Sequence, residues 1–383
     1  MSDPIVIVGG GLAAGTAATT LRESGYDGDL VVFAEEPHVP YERPPLSKEL
    51  LRGEKQTEAT YVQSAEWYAD HDVVVRTGMP VRVLDLETDT VHTDVEQTPF
   101  SSLLLATGAR PRTLPIEPTD AVEVHYLRTL DDATVLQGRL GADRRMLVVG
   151  AGWIGMEVAA SARQLGTAVT IVDPAEQPLL AVLGPEIGAR FAAVHRRHGV
   201  DLRTRTALDH LEGDKAVLTD GTTIEVDTVL VGVGAVPNDD LAREAGIAVD
   251  NGVLVDAGLR TDHHRVFAAG DVANAEHPTL GERIRVEHWQ NAISQGRAAA
   301  HALVGEHVSY AELPYFFTDQ YDLGMEYFGH LGAAGFDDLR VEPGESDDAF
   351  VAYWSREGRL VAAMHVNEWD RSDDLRERVR VGR

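Results

Sequence analysis

Cysteine is absent from the 383-residue chain. That excludes disulfides, thiolate metal sites and any enzyme that relays electrons through a Cys pair, while leaving the compartment open. Long apolar runs are missing too. None approaches the 18 or so residues that a membrane-spanning helix requires, so no membrane partner is expected. The first apolar strand follows Pro4 with neither a basic stretch nor a cleavage site before it, which predicts a cytoplasmic protein without a secretory signal. Positive charge is scarce: 34 Lys and Arg stand against 62 Asp and Glu, for a formal net charge of −28. Such a surface repels phosphate backbones, and nucleic acid drops out as a partner. There is no G-x-S-x-G, no Walker A lysine and no H-E-x-x-H, so hydrolase, P-loop and zincin chemistry lack support.

What is present is one motif twice. Ile5 to Val8 is a β-branched run that stops at Gly9, and Gly9, Gly11 and Ala14 fit G-x-G-x-x-G/A ahead of an Ala-rich helix reaching about Ser24. The first small residue permits a tight turn, the second lets a pyrophosphate approach the backbone, and the third lets the helix sit close on the strand. The helix N-terminus then offers unpaired N–H groups and partial positive charge to phosphate. A second strand, Leu30 to Phe33, runs to Glu35, a carboxylate 26 residues beyond Gly9 and suited to ribose hydroxyls. The second copy has Gly150, Gly152 and Gly155, a helix to about Leu165, and the strand Ala168 to Val172 ending at Asp173. Two complete βαβ units with their acids predict two bound dinucleotides. Asp173 favours NADH, because a carboxylate accepts from a free 2′-hydroxyl and repels a 2′-phosphate, and "PAEQP" after it supplies no cation.

Further segments narrow the family. "PYERPPLSKELL" (40–51), "ATGARPR" (106–112), Glu157 in the second fingerprint, "GVGAVPN" (232–238), "VFAAGDVA" (266–273), "VEHWQNA" (286–292) and "FFTDQYD" (316–322) join the two fingerprints. Together they make the chain resemble, over nearly its whole length, the FAD-dependent pyridine-nucleotide oxidoreductases of the ferredoxin-reductase type from bacterial oxygenase systems, alongside putidaredoxin and rubredoxin reductases.

The resemblance implies an α/β fold of glutathione-reductase-like architecture: two three-layer Rossmann-like dinucleotide-binding domains plus a C-terminal α+β domain. An FAD domain is expected over 1–110 and 235–310, an NADH domain over 111–234 and an interface domain over 311–383. The Gly- and Pro-rich stretches "ATGARPRTLP" and "GVGAVPN" are the expected crossings. "AFVAYWS" and "RLVAAMHV" read as antiparallel strands of the last domain.

By the same resemblance FAD is held by Gly9, Gly11, Ala14, Glu35, Arg43, Lys48, Ala106, Thr107, Gly108, Arg128, Gly270, Asp271, Val272, His288, Trp289 and Phe317, with Phe316 also walling the site. NADH is held by Gly150, Gly152, Trp153, Ile154, Gly155, Asp173 and Gly234. Asp271 is expected on the flavin's sugar chain. The helix after Trp289 would aim its N-terminus at the flavin ring, where partial positive charge favours the anion formed on reduction. Lys48, from a "PPLSK" helix, and Glu157 form the implied catalytic pair beside flavin N5. They would orient flavin edge and nicotinamide rather than act as acid and base, and each would make the other's burial tolerable.

The implied activity is that of a ferredoxin–NAD(+) reductase, passing electrons singly to a ferredoxin-type [2Fe–2S] protein that serves an oxygenase or cytochrome P450. A rubredoxin reductase and an NADH-binding signalling flavoprotein of the apoptosis-inducing type are the alternatives. No metal site is expected, since His195 and His198 stand without a third ligand. The last 13 residues carry a local excess of two positive charges, read as a solvated end before a docking patch. Oligomeric state is not indicated.

Overall fold

The computed structural model describes residues 3–346 and 348–383. Its frame is three five-stranded sheets. The first is parallel, in the order Val266–Ala268, Ser102–Leu105, Ile5–Val8, Leu30–Phe33, Val73–Arg76. Ile5–Val8 is buried throughout and pairs on both sides, Val8 with Phe33 and with Leu105, as expected of an apolar run covered on both faces. The helix Leu12–Glu23 crosses over from it and packs along Trp289–Leu303, an Ala-rich contact in which Gly296 allows close approach to Ala13.

The second sheet repeats the plan: Asp201–Thr204, Ala168–Asp173, Arg145–Val149, Thr228–Val231 and Glu123–His125, all parallel. Its glycine-turn helix is Trp153–Gln164. Both predicted turn units therefore form, with helix and strand ends within a residue or two of expectation.

Two antiparallel strands link the halves. Ala109–Pro111 leaves the first sheet and Ala235–Pro237 returns to it, paired Ala109 to Pro237 and Pro111 to Ala235. The two Gly- and Pro-rich segments thus run side by side as a ribbon.

The third sheet is antiparallel: Tyr315–Gln320, Leu323–Gly329, Arg359–Val366, Phe350–Arg356, Asp338–Pro343. The two aromatic-rich runs pair Phe350 with Val366 and Trp354 with Ala362, as their alternation predicts. One face shares a core with the second parallel sheet: Trp354, Met364 and Tyr327 join Met156, Ile187 and Phe191, and the Trp354 indole N–H donates to the Leu183 carbonyl at 3.3 Å. That packing brings Tyr315–Gln320 against the Trp153–Gln164 helix.

One expected element is absent. "PPLSK" is not a helix but a single 3-10 turn, Pro44–Ser47, with Lys48 at its end. The two prolines occupy its first two positions, where a helix needs no N–H donor; the turn ends because Lys48 leaves helical backbone, at φ −124 and ψ −110. Among the described residues no helix is long and apolar enough to cross a membrane.

Candidate functional site

The ends of the first sheet, the linking ribbon and the start of the third sheet enclose a cavity of about 970 Å³. Gly9, Gly11, Glu35, Arg43, Lys48, Ala106, Thr107, Gly108, Arg128, Gly270, Asp271, His288, Trp289, Phe316 and Phe317 line it, and Trp153, Ile154 and Glu157 reach in from the second unit. Ala14 and Val272 lie behind the wall, fully buried.

At one end Gly11 caps Leu12–Glu23 with no side-chain acceptor, so the first-turn N–H groups face the cavity unsatisfied. Trp289–Leu303 likewise starts at His288 without a side-chain cap. Two buried donors on the wall, Arg128 Nε and the Trp289 indole N–H, have no protein partner. A wall of unmet donors and helix N-termini fits an elongated, anionic, acceptor-rich molecule, and FAD matches it in size and chemistry.

The side chains between are held by groups that sequence reading missed. Arg43 donates to Glu36 Oε1 and to the Tyr41 hydroxyl, both at 3.0 Å, so Glu36 anchors an arginine while Glu35 stays exposed at the cavity rim. Arg128 Nη2 donates to Asp271 Oδ2 at 2.8 Å, and the Arg128 backbone is fixed by Asp132. Gly270 donates its N–H to Gln295 Oε1 at 2.8 Å.

His288 donates Nδ1–H to the Tyr315 carbonyl at 3.1 Å. Burial lowers it from the ordinary histidine value to about 4, and burial likewise lowers His195 to about 4. Both are neutral in the folded protein at pH 7. The unfolded chain protonates them near pH 6.5, so the stability they contribute is full above that value and is lost as pH falls toward 4. Melting temperature is expected to drop between pH 6.5 and 4, with His195→Gln flattening part of the decline; an identical pH profile in the variant would refute the assignment.

Lys48 Nζ sits 2.6 Å from Glu157 Oε2 with side-chain exposures of 6% and 4%. Ser47 Oγ donates to the same oxygen at 2.6 Å, and Thr318 Oγ1 donates to Oε1 at 2.6 Å. The carboxylate is therefore gripped from the 3-10 turn and the third sheet at once. The Phe317 ring lies 5.8 Å from the ammonium.

Gly150, Gly152 and Gly155 of the second turn do not line the cavity, although Trp153 and Ile154 do. Gly155 packs the helix onto the turn so closely that a Cβ would overlap the Gly150 carbonyl. Gly152 caps the helix without a side chain, and Gly234 stands exposed at the start of the returning strand. Asp173 accepts from the Ala151 and Ala175 N–H groups at 2.7 and 2.8 Å, bracing the turn through both oxygens. A cation follows the neighbouring strand end after all: Thr204 pairs with Asp173, and the guanidinium of the next residue, Arg205, meets Glu176 at 2.8 Å. Of the C-terminal arginines, Arg371 meets Glu342 and Asp374, Arg378 meets Asp374 and Arg380 meets Glu377, while Arg376 lies over the Phe328 ring.

The pattern describing the pyridine nucleotide-disulphide oxidoreductase family matches residues 3–296, and the reductase C-terminal pattern matches 315–380. Among curated proteins the chain is 40% identical over 372 residues to the ferredoxin–NAD(+) reductase component of the anthranilate 1,2-dioxygenase system of Burkholderia cepacia, covering 96% of this chain and 91% of that one. It is 33% identical to putidaredoxin reductase of Pseudomonas putida, covering 96% and 89%. Among solved structures, putidaredoxin reductase in its covalent complex with putidaredoxin superposes with a TM-score of 0.95 at 32% identity, covering 100% of this chain and 94% of that one. The chain belongs to the pyridine nucleotide-disulphide oxidoreductase family. Lacking cysteine, it belongs there without disulphide chemistry.

Proposed function

We propose that this chain is a ferredoxin–NAD(+) reductase of an oxygenase or cytochrome P450 system: it takes hydride from NADH onto FAD and releases the electrons singly to a [2Fe–2S] ferredoxin. FAD, when bound, supplies the interchange between a two-electron donor and a one-electron acceptor. The observation that carries the reading is the Lys48–Glu157 pair, buried inside the cavity where the two glycine-turn units meet. Gly9 and Gly11 would take the pyrophosphate end. Arg43, held by Glu36, and Asp271, held by Arg128, would set the middle of the molecule, and Lys48 with Glu157 would fix the ring edge and the incoming nicotinamide. Trp153 and Phe316, whose ring centroids are 4.5 Å apart, would exclude water there. The electrons would leave by the flavin edge, toward a docked ferredoxin. We place the protein in the cytoplasm, where NADH is available as the donor.

A visible spectrum of the purified protein, anaerobic NADH addition and then a panel of ferredoxins test flavin, donor and acceptor in turn. A colourless protein that resists reconstitution ends the proposal.

The donor preference rests on Asp173 and on Glu176 keeping Arg205 occupied. A 2′-phosphate would compete for that guanidinium. We expect kcat/KM to favour NADH, and Glu176→Ala to raise kcat/KM for NADPH about tenfold with little change for NADH, since one charge-assisted contact is worth roughly that factor. Steady-state rates with both donors decide it, and an unchanged ratio removes Arg205 from the account.

A further inference from the structure

A second set of buried polar side chains lies behind Glu157, none of them touching the cavity. Thr318, Gln320 and His195 are all fully buried, on two elements far apart in the chain. Gln320 Nε2 lies 3.2 Å from Thr318 Oγ1, His195 Nε2 lies 2.8 Å from Gln320 Oε1, and the Tyr321 hydroxyl lies 3.5 Å from His195 Nδ1. Tyr321 stacks on His198, ring centroids 3.7 Å apart, toward the surface.

We propose that Gln320 and His195 are positioning residues for the Lys48–Glu157 pair, joined to it through Thr318 in one directed line of hydrogen bonds. The direction follows from the donor inventory. Glu157 is a carboxylate gripped by Lys48, so it can only accept, and the single Thr318 proton must point at Oε1. Thr318 Oγ1 is then left to accept, which turns the Gln320 amide nitrogen toward it. The Gln320 oxygen consequently faces His195 and needs a donor, so His195 is the Nε2–H tautomer, with Nδ1 open to the Tyr321 hydroxyl. Each bond polarises the next, and every proton points toward Glu157.

The consequence is geometric. With Oε1 held by Thr318, the carboxylate cannot rotate, and Oε2 stays on Lys48 and Ser47. An amide in the middle cannot pass a proton onward without becoming an imidic acid, so the line fixes position and moves no proton. The role at Lys48 rests on the proposed function above; the tautomer does not.

Glu157→Gln should reverse the line. Lys48 offers donors only, so the new amide must present its oxygen to Lys48 and its nitrogen to Thr318. Thr318 then donates to Gln320, the Gln320 amide flips, and His195 becomes the Nδ1–H tautomer. Nitrogen-15 NMR of histidine-labelled holoprotein reads this directly. The expected result is Nε2–H at His195 in the parent and Nδ1–H in Glu157→Gln. Nδ1–H in the parent, or an unchanged tautomer in the folded variant, overturns the proposal. Should Glu157→Gln not fold, the parent tautomer still decides the direction.

A second pair of variants tests the positioning role. His195→Gln keeps a donor toward Gln320 and His195→Leu removes it. Flavin reduction by NADH in stopped flow is expected to slow about tenfold in His195→Leu and to stay within about twofold of the parent in His195→Gln, with the KM for NADH steady in both. Equal loss in the two variants would make His195 a packing residue only. If the protein held no flavin, this rate comparison would fall with the proposed function while the NMR comparison stood.

Discussion

Lys48→Met should lower the melting temperature by about 5 °C and nearly abolish flavin reduction by NADH, whereas Lys48→Met combined with Glu157→Met should recover the stability and none of the rate. The pair is almost wholly shielded from water at 2.6 Å. Removing one partner leaves a buried charge without compensation, a cost of about 3–5 kcal/mol, and each kcal/mol is about 1 °C in a chain of 383 residues. Glu157 keeps Ser47 and Thr318 as donors, so the fold persists but is strained. Replacing both charges with apolar groups of similar volume removes the penalty, often with a gain. On the proposed function the reaction would have no such remedy, because Lys48 would serve as a cation at the flavin edge and Glu157 as the anion that holds it. Calorimetry and stopped-flow reduction of the two proteins check both halves. Recovery of the rate in the double variant would show that the pair serves the fold alone.

Gly9→Ala should damage the fold itself, and Gly11→Val should leave the fold intact but empty of flavin. Gly9 has φ +134, and a Cβ there would overlap the Ala106 carbonyl oxygen on the neighbouring strand end. Strained dihedrals of this kind cost about 1–3 kcal/mol before the overlap is counted. Gly11 has an ordinary extended backbone and nothing within 4 Å of a Cβ, because it opens on the cavity. A branched side chain there stands where phosphate must approach the helix N-terminus. We expect apoprotein stability within about 1 kcal/mol of the parent for Gly11→Val and flavin content reduced at least tenfold. Equal flavin content in the purified variant would move the pyrophosphate elsewhere.

The turns, their helices and the strand ends could be read from residues because they are local: glycine spacing and β-branched runs specify them within about 30 residues. Lys48 and Glu157 could be paired only through the family resemblance, as they lie 109 positions apart. The groups around them were out of reach. Thr318 and Gln320 look like ordinary strand residues, and His195 with His198 raised only the question of a metal site; only the docking of the third sheet on the second brings them into line. Arg205 hid for a similar reason, since strand order rather than sequence distance sets it one residue beyond the Thr204 that pairs with Asp173. At the C-terminus the expected solvated end is the helix Ser372–Val381, and Arg371 meets Glu342 from a strand some thirty residues upstream, a partner that no count over the last 13 residues includes.

The paired strands Ala109–Pro111 and Ala235–Pro237 make everything between them an insertion with touching ends: the Arg112 N–H bonds the Gly234 carbonyl at 2.9 Å. A segment whose entry and exit meet can be cut out and replaced as a cassette without stretching the host. On the proposed function, swapping 112–234 for the corresponding stretch of an NADPH-using relative is expected to import that relative's coenzyme choice, read as the ratio of kcat/KM for the two donors, provided the graft carries a glutamate to meet Lys48 and the apolar face that packs on Tyr327, Trp354 and Met364.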